Sequence, residues 1–219
     1  MFLLKDVRYK NIINIEYLRI PGNKITCIVG ESGSGKTTLL KLLNHLISCD
    51  GGEIYYQGKN LKELDPVLLR REVVMLSQVP LIFPGTLKDN LLIGLEYSER
   101  IPVEDKELLE LLKSVKLGKS LSANASDLSG GEKQRLALSR IILMEPEVYL
   151  LDEPSSALDD ETEEIIIEKM VSFTRKRNKT MVMVTHSKRI ARTYGELIVT
   201  MDKGKIIQVE EADYNERDH

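Results

Sequence analysis

The sequence predicts an α/β fold, with strands and helices alternating at both ends of the chain and a purely helical stretch between. Three observations predict it. Ile25-Thr26-Cys27-Ile28-Val29 is a short apolar run of strand type, and leucines then recur at helical spacing over residues 38–47. From Pro80 to about Pro146 the strand signal disappears, while apolar residues fall at helical spacing over 87–95, 103–115 and 132–144. Strand signal then returns at 148–151, 180–185, 197–201 and 205–209. Between the first two of these lies an expected helix over about 160–175, with acids crowded into its first turn as the helix dipole favours.

The remaining elements follow in order. Residues 2–20 read as short strands, Phe2-Leu3-Leu4 and 15–20, broken by Lys10-Asn11. Pro21-Gly22-Asn23 is a turn signal, and Asp50-Gly51-Gly52 closes the first helical region. Residues 53–59 resemble a hairpin strand with its turn, and Val73-Val74-Met75-Leu76 is a buried strand. The expected organisation is a single domain over 1–219. Residues 1–79 and 147–219 form a small N-terminal antiparallel β subdomain and an α/β core, and 80–146 form an inserted helical subdomain. No internal repeat, long linker or low-complexity segment interrupts it.

Composition narrows the function classes. The 219 residues carry 31 basic and 34 acidic side chains, a net charge of −3, so no excess of positive charge marks a nucleic-acid binder. Arg70-Arg71 and Arg175-Lys176-Arg177-Asn178-Lys179 are set among acids and read as solvated faces. Cys27 and Cys49 suggest neither a metal site nor a disulfide framework, and they fit a reducing cytoplasm. No signal peptide is visible, and no apolar run approaches the ~18 residues that span a bilayer. Work at a membrane would need a partner to do the crossing.

The first chemical motif is Gly30-Glu31-Ser32-Gly33-Ser34-Gly35-Lys36-Thr37, followed by Thr38, which fits G-x-x-x-x-G-K-[ST] between a strand and a helix. That context makes it a phosphate loop and the core a P-loop NTPase (RecA-like) one. Backbone N–H groups of the loop and the helix start point inward at an anion. Lys36 is expected to reach the β- and γ-phosphates, and the Thr37 hydroxyl to ligate Mg²⁺. A second motif, Val148-Tyr149-Leu150-Leu151-Asp152-Glu153, delivers two carboxylates at the end of an apolar strand, where ligands of open α/β sheets sit. Alternation along the strand would turn the two acids to opposite faces and so give them different roles. Asp152 is expected to hold Mg²⁺ and Glu153 to activate the attacking water.

Leu128-Ser129-Gly130-Gly131-Glu132-Lys133-Gln134-Arg135 is the most discriminating stretch. Physically it is a serine and two glycines opening a helix, and local physics leaves two readings open, a plain helix cap or a second anion site. One nucleotide has one triphosphate, so a second anion site would suggest two chains sharing two nucleotides.

Leu128-Ser129-Gly130-Gly131-Glu132, placed between the phosphate loop and the acidic strand, resembles the signature motif of the ATP-binding-cassette (ABC) ATPases. The resemblance runs from about Leu4 to Val209. Within it Tyr9 resembles the aromatic that stacks on adenine, and Gln78 the glutamine that senses Mg²⁺ and the lytic water. Ser156-Ala157-Leu158-Asp159 is similar to the D-loop, and His186 to the switch histidine at the γ-phosphate. The turn after Tyr9 departs from longer relatives in lacking a glycine- or lysine-rich hairpin. His45 reads as structural, and His219, in the tail, is uninformative.

The resemblance implies ATP and Mg²⁺ as cofactors. It also implies a head-to-tail homodimer around two ATP, and hydrolysis with charge absorbed by Lys36, Mg²⁺, His186 and the partner's signature helix. The leading expectation is the ATPase subunit of a transporter, cytoplasmic and peripheral on the inner face of the membrane, driving a separate permease. A soluble ABC ATPase of DNA repair, translation or cofactor assembly is the alternative, and a small P-loop kinase a remoter one. Residues 79–87 are apolar for a loop, which suits either a docked partner or core packing. Cargo is not legible; a likeness to stand-alone subunits of metal- or iron-efflux type is the nearest indication.

Overall fold

The computed structural model describes residues 1–212. His219 lies outside the described residues. The chain opens with a hairpin, β1 (Phe2–Tyr9) and β2 (Ile13–Ile20), paired antiparallel from Phe2↔Ile20 to Tyr9↔Ile13. The strands run longer than the sequence pattern predicts, because the break at Lys10 and Asn11 is only the hairpin turn, with Lys10 at φ 48°. On β2 the inward side chains are Ile13, Ile15, Leu18 and Ile20, all buried. Next come β3 (Ile25–Val29) and α1 (Lys36–Leu43). That helix stops at Asn44, earlier than expected, so His45 lies beyond it at φ 54° rather than on its apolar face.

Gly51 and Gly52 begin β4 (Gly51–Tyr56) instead of closing a helix, and β5 (Lys59–Asn60) follows a tight turn. The helix α2 (Pro66–Glu72) leads directly into β6 (Val73–Leu76). Between Leu76 and Val148 the described chain holds helices, turns and one isolated bridge, Thr86 to Asn124. The helices are α3 (Leu87–Tyr97), α4 (Asp105–Ser114) and α5 (Gly130–Met144). The chain then alternates through β7 (Val148–Asp152), α6 (Asp160–Lys176), β8 (Thr180–Val184), α7 (Lys188–Tyr194), β9 (Leu197–Asp202) and β10 (Lys205–Glu211).

Two sheets result. The smaller is antiparallel, in the order β2-β1-β4-β5. The larger has the order β10-β9-β3-β8-β7-β6 and is parallel except for β10. Every residue of β7 and β8 is buried, as a parallel sheet covered on both faces requires. Period-two alternation divides these strands between two cores. Tyr149, Leu151, Met181 and Met183 join the apolar faces of α3 to α6. Val148, Leu150, Val182 and Val184 join α1 and the inner face of the antiparallel sheet.

Leu150 is fully buried between the sheets. Leu150→Ala should cost about 3 kcal/mol in urea-induced unfolding. Leu68→Ala, at a position on α2 that is 57% exposed, should stay within about 0.5 kcal/mol of the parent.

Candidate active site

The register of the large sheet assembles the site. Ile28, Val184 and Asp152 stand at one level across β3, β8 and β7, and Leu76 of β6 pairs with Leu151. Beyond that level the chain leaves each strand into Gly30, His186, Glu153 and Gln78. Glu153 N–H still donates to Val184 O at 3.1 Å, and Thr185 N–H to Ile28 O at 3.2 Å.

The phosphate loop occupies the end of β3. Its backbone is boxed in: a Cβ placed on Gly30 would stand 2.2 Å from the Met201 carbonyl oxygen and 2.9 Å from Ser34 Oγ, and φ there is +153°. The far end of the loop meets the turn between β9 and β10, where Gly204 N–H donates to Ser34 O at 3.0 Å, and that turn is tied to the first hairpin by Asn14 N–H donating to Gly204 O at 2.9 Å. This brings Tyr9 to the same end of the molecule, half-buried at the hairpin's tip with Lys10 Nζ 5.2 Å from its ring centroid. Glu31, Ser32 and Gly33 are exposed, Ser34 is buried, and Gly35 precedes α1 at φ 98°.

Lys36 folds back over its own loop. Nζ donates to Gly30 O at 2.8 Å and to Glu31 O at 2.7 Å. Burial lowers its pKa from the ordinary lysine value, while the Glu153 and Asp152 carboxylates pull the other way. Thr37 Oγ donates to Asp152 Oδ1 at 3.1 Å. Burial, the largest cause, raises the Asp152 carboxyl; the Thr37 bond opposes it and the Glu153 charge adds to it. A hydroxyl and a carboxylate oxygen side by side are donors of the type a hard divalent cation takes, beside a loop whose backbone N–H groups suit an anion. These residues therefore fit a magnesium-bound triphosphate.

Glu153 does not continue the strand alternation on which its role was argued. The strand ends at Asp152, and Glu153 turns into the left-handed region at φ 48°. That turn aims its carboxylate between two other loops. Gln78 Nε2 donates to Glu153 Oε2 at 2.8 Å, and His186 Nε2 lies 2.7 Å from Glu153 Oε1. An ionised carboxylate only accepts, so this contact is a hydrogen bond in the tautomer with the proton on His186 Nε2. Gln78 itself lies two residues past the end of β6, exposed, and does not end the strand as its sequence position suggested.

The signature residues sit elsewhere. Ser129 caps α5, its Oγ accepting from Glu132 N–H at 3.3 Å while Glu132 Oε2 accepts from Ser129 N–H at 2.9 Å. Gly131 packs against Ala157, whose carbonyl oxygen would stand 3.0 Å from a Cβ there. Asp159 caps α6 through Thr162 N–H at 2.9 Å. Among the described residues no hydrogen bond joins Ser129, Gly130, Gly131 or Asp159 to the phosphate loop of the same chain. The structure thus gathers Lys36, Thr37, Asp152, Glu153, Gln78 and His186 and leaves the signature apart, with the D-loop.

A sequence model described as "ABC transporter" matches residues 14–156, about two thirds of the chain. The chain belongs to the ABC transporter family. It is 37% identical over 205 residues to Protein STAR1 of Oryza sativa subsp. japonica, covering 93% of this chain and 59% of that one. It is 36% identical over 203 residues to the glycine betaine/carnitine/choline transport ATP-binding protein OpuCA of Bacillus subtilis (strain 168), covering 91% and 53%. The chain therefore spans less than two thirds of the length of either relative. Among solved structures it resembles a dimeric ATP-binding cassette in a post-hydrolysis state bound to ADP and Pi. There the TM-score is 0.86 at 30% identity, over 96% of this chain and 98% of that one. The fold is that of a P-loop NTPase cassette.

Sequence reasoning did not single out Asn90 or Arg140. Asn90 is fully buried and clamps the 79–86 loop, accepting from Phe83 N–H at 2.9 Å and donating to Phe83 O at 2.8 Å. Arg140 donates to Leu81 O and lies 5.0 Å from the Phe83 ring centroid. Burial lowers its pKa to about 10. A polar residue inside an apolar helical repeat was the available signal.

Gly30→Ala should lower the thermal midpoint by several degrees, since its methyl meets fixed backbone. Gly130→Ala, in a helix start with nothing within 4 Å, should leave it unchanged or raise it by up to about 1 kcal/mol of stability. Equal effects of the two in thermal unfolding would contradict this account of the loop.

Proposed function

We propose that the chain is the ATP-binding and ATP-hydrolysing subunit of a transporter, closing head-to-tail with a second copy around two MgATP to drive a separate membrane permease. The observation that carries this reading is the Gln78–Glu153–His186 cluster beside the phosphate loop, to which, among the described residues, no signature residue of the same chain hydrogen-bonds. A pocket with its base and phosphate grip on one chain, and its second anion site unused there, is completed by another copy.

In this reading Lys36 exchanges the Gly30 and Glu31 carbonyls for the β- and γ-phosphates. The N–H groups of residues 31–38, from Glu31, Ser32, Gly33, Ser34 and Gly35 on to Thr38, cradle the phosphates, and Tyr9 stacks on the base. Thr37, Asp152 and Gln78 would hold the Mg²⁺, which when bound would neutralise charge on the phosphate oxygens. Glu153 orients the water for in-line attack, and His186 steadies both that carboxylate and the γ-phosphoryl group. The partner's Ser129, Gly130 and Gly131 donate to the same phosphoryl group, and its Asp159 lies at the seam. Loss of the bridging phosphate lets the pair open, which converts hydrolysis into movement.

The permease would dock beyond Gln78. Val79 is 79% and Leu81 64% exposed, on a loop held from beneath by Asn90 and Arg140. Among the described residues no helix is long and apolar enough to cross a membrane. A cytoplasmic position, peripheral on the inner face, follows from this assignment. We take residues 80–146 as the helical subdomain of a single cassette that spans 1–219.

Glu153→Gln should reduce ATP turnover by about 10²-fold or more and leave nucleotide binding intact. With ATP and Mg²⁺ that variant should sediment as a dimer, and adding Lys36→Ala should return it to monomer. A Glu153→Gln protein that stays monomeric at saturating MgATP would remove the shared-pocket reading.

A further inference from the structure

The fifth residue of the signature is an acid, Glu132, placed one helical turn from the serine that is to meet a partner's triphosphate. Left free, its carboxylate would repel that anion. Both its oxygens are engaged. Oε2 accepts from Ser129 N–H at 2.9 Å, and Oε1 stands 3.1 Å from Nζ of Lys119, a residue of the loop between α4 and α5. The Ser129 N–H first, and Lys119 second, hold the Glu132 carboxyl below the usual range. The Ser129 hydroxyl oxygen accepts from Glu132 N–H, which leaves its proton to donate outward. Gly130 and Gly131, in the first turn of α5, have N–H groups with no intrahelical acceptor.

We propose that Lys119 is a positioning residue for the shared pocket: it holds the Glu132 carboxylate back on the helix start and offsets its charge, keeping the Ser129 hydroxyl and glycine N–H groups open to the γ-phosphate on the partner chain. The proposal rests on the head-to-tail reading. Two features argue for a ligand-directed role over a structural one. Lys119 and Glu132 are 39% and 21% exposed, a setting in which an ion pair contributes little to stability. Yet the pair lies beside the path of a multiply charged anion, where a single unbalanced charge changes affinity by about an order of magnitude.

The test is an ATP titration of dimer formation by analytical ultracentrifugation in the Glu153→Gln background with Mg²⁺, alongside the steady-state KM and kcat of the parent enzyme. Lys119→Ala should raise the half-saturating ATP concentration and KM about tenfold, with the melting temperature unchanged. Lys119→Arg should behave as the parent. Adding Glu132→Gln to Lys119→Ala should recover most of the loss, because no carboxylate remains to be restrained. Unchanged half-saturation in Lys119→Ala overturns the proposal while leaving the shared pocket standing. So does a loss that Glu132→Gln does not relieve, or one that follows a fall in melting temperature. Failure of the Glu153→Gln parent itself to dimerise with ATP overturns both.

Discussion

The parallel ladder from β3 through β8 to β7 and β6 is the constraint on which the site depends. Its four strands finish at nearly one level, and the residue or two beyond each finish carries the proposed site: Gly30, His186, Glu153 and Gln78. These positions are far apart in sequence, and only the register makes them neighbours. A slip of one residue in β7 would turn Asp152 away from Thr37 and exchange the strand's two apolar faces. Burial of all five residues of β7, divided between two cores, opposes that slip more strongly than any contact within the site.

A second constraint is charge. Asp152 and Glu153 are adjacent acids at the place proposed to receive more negative charge, and Lys36 is a cation set against the loop beside them. The protein does not hold Lys36 by pairing it with either acid. Two loop carbonyls at 2.8 and 2.7 Å satisfy the ammonium group, and Glu153 is occupied by Gln78 and His186. The side chains of Lys36, Thr37, Asp152, Glu153, Gln78 and His186 thus each have a hydrogen-bonded resting partner, so a half-buried cluster is tolerated without ligand. In the proposed reading the grip on phosphate would come from backbone N–H groups, which carry no desolvated net charge and cost little while waiting.

Much of this was legible in the sequence because the decisive signals are local. A strand, a glycine loop and a leucine-spaced helix identify one another, and the loss of strand signal across 80–146 marks where helices take over. Legibility fails where structure is short or three-dimensional. The helices α2 and α7 have seven residues each, too few for a periodic pattern, although Asp65 before Pro66 was a readable start. Strand alternation does not set the placement of Glu153, since the chain leaves the strand there through a left-handed turn. Lys119 carries no motif, and only the folded loop brings it to Glu132.

The D-loop gives the two halves of the site a mechanical connection inside one chain. Ser156 N–H donates to Glu153 O at 3.2 Å, and Leu158 N–H to Ser155 O at 2.9 Å, so residues 153–158 form consecutive tight turns. At their end the Ala157 carbonyl packs closely on Gly131, where a Cβ would stand 3.0 Å from its oxygen. Lys116 bridges to Glu161 on the opening turn of α6, tying the loop before the signature to the same region. A shift of Glu153 is therefore four residues and one close contact from a shift of the signature. Close-packed backbone does not absorb such a displacement by compression. In the proposed head-to-tail pair, the carboxylate of one pocket and the anion donors offered to the other would therefore move as neighbours, coupled with no path through the sheet.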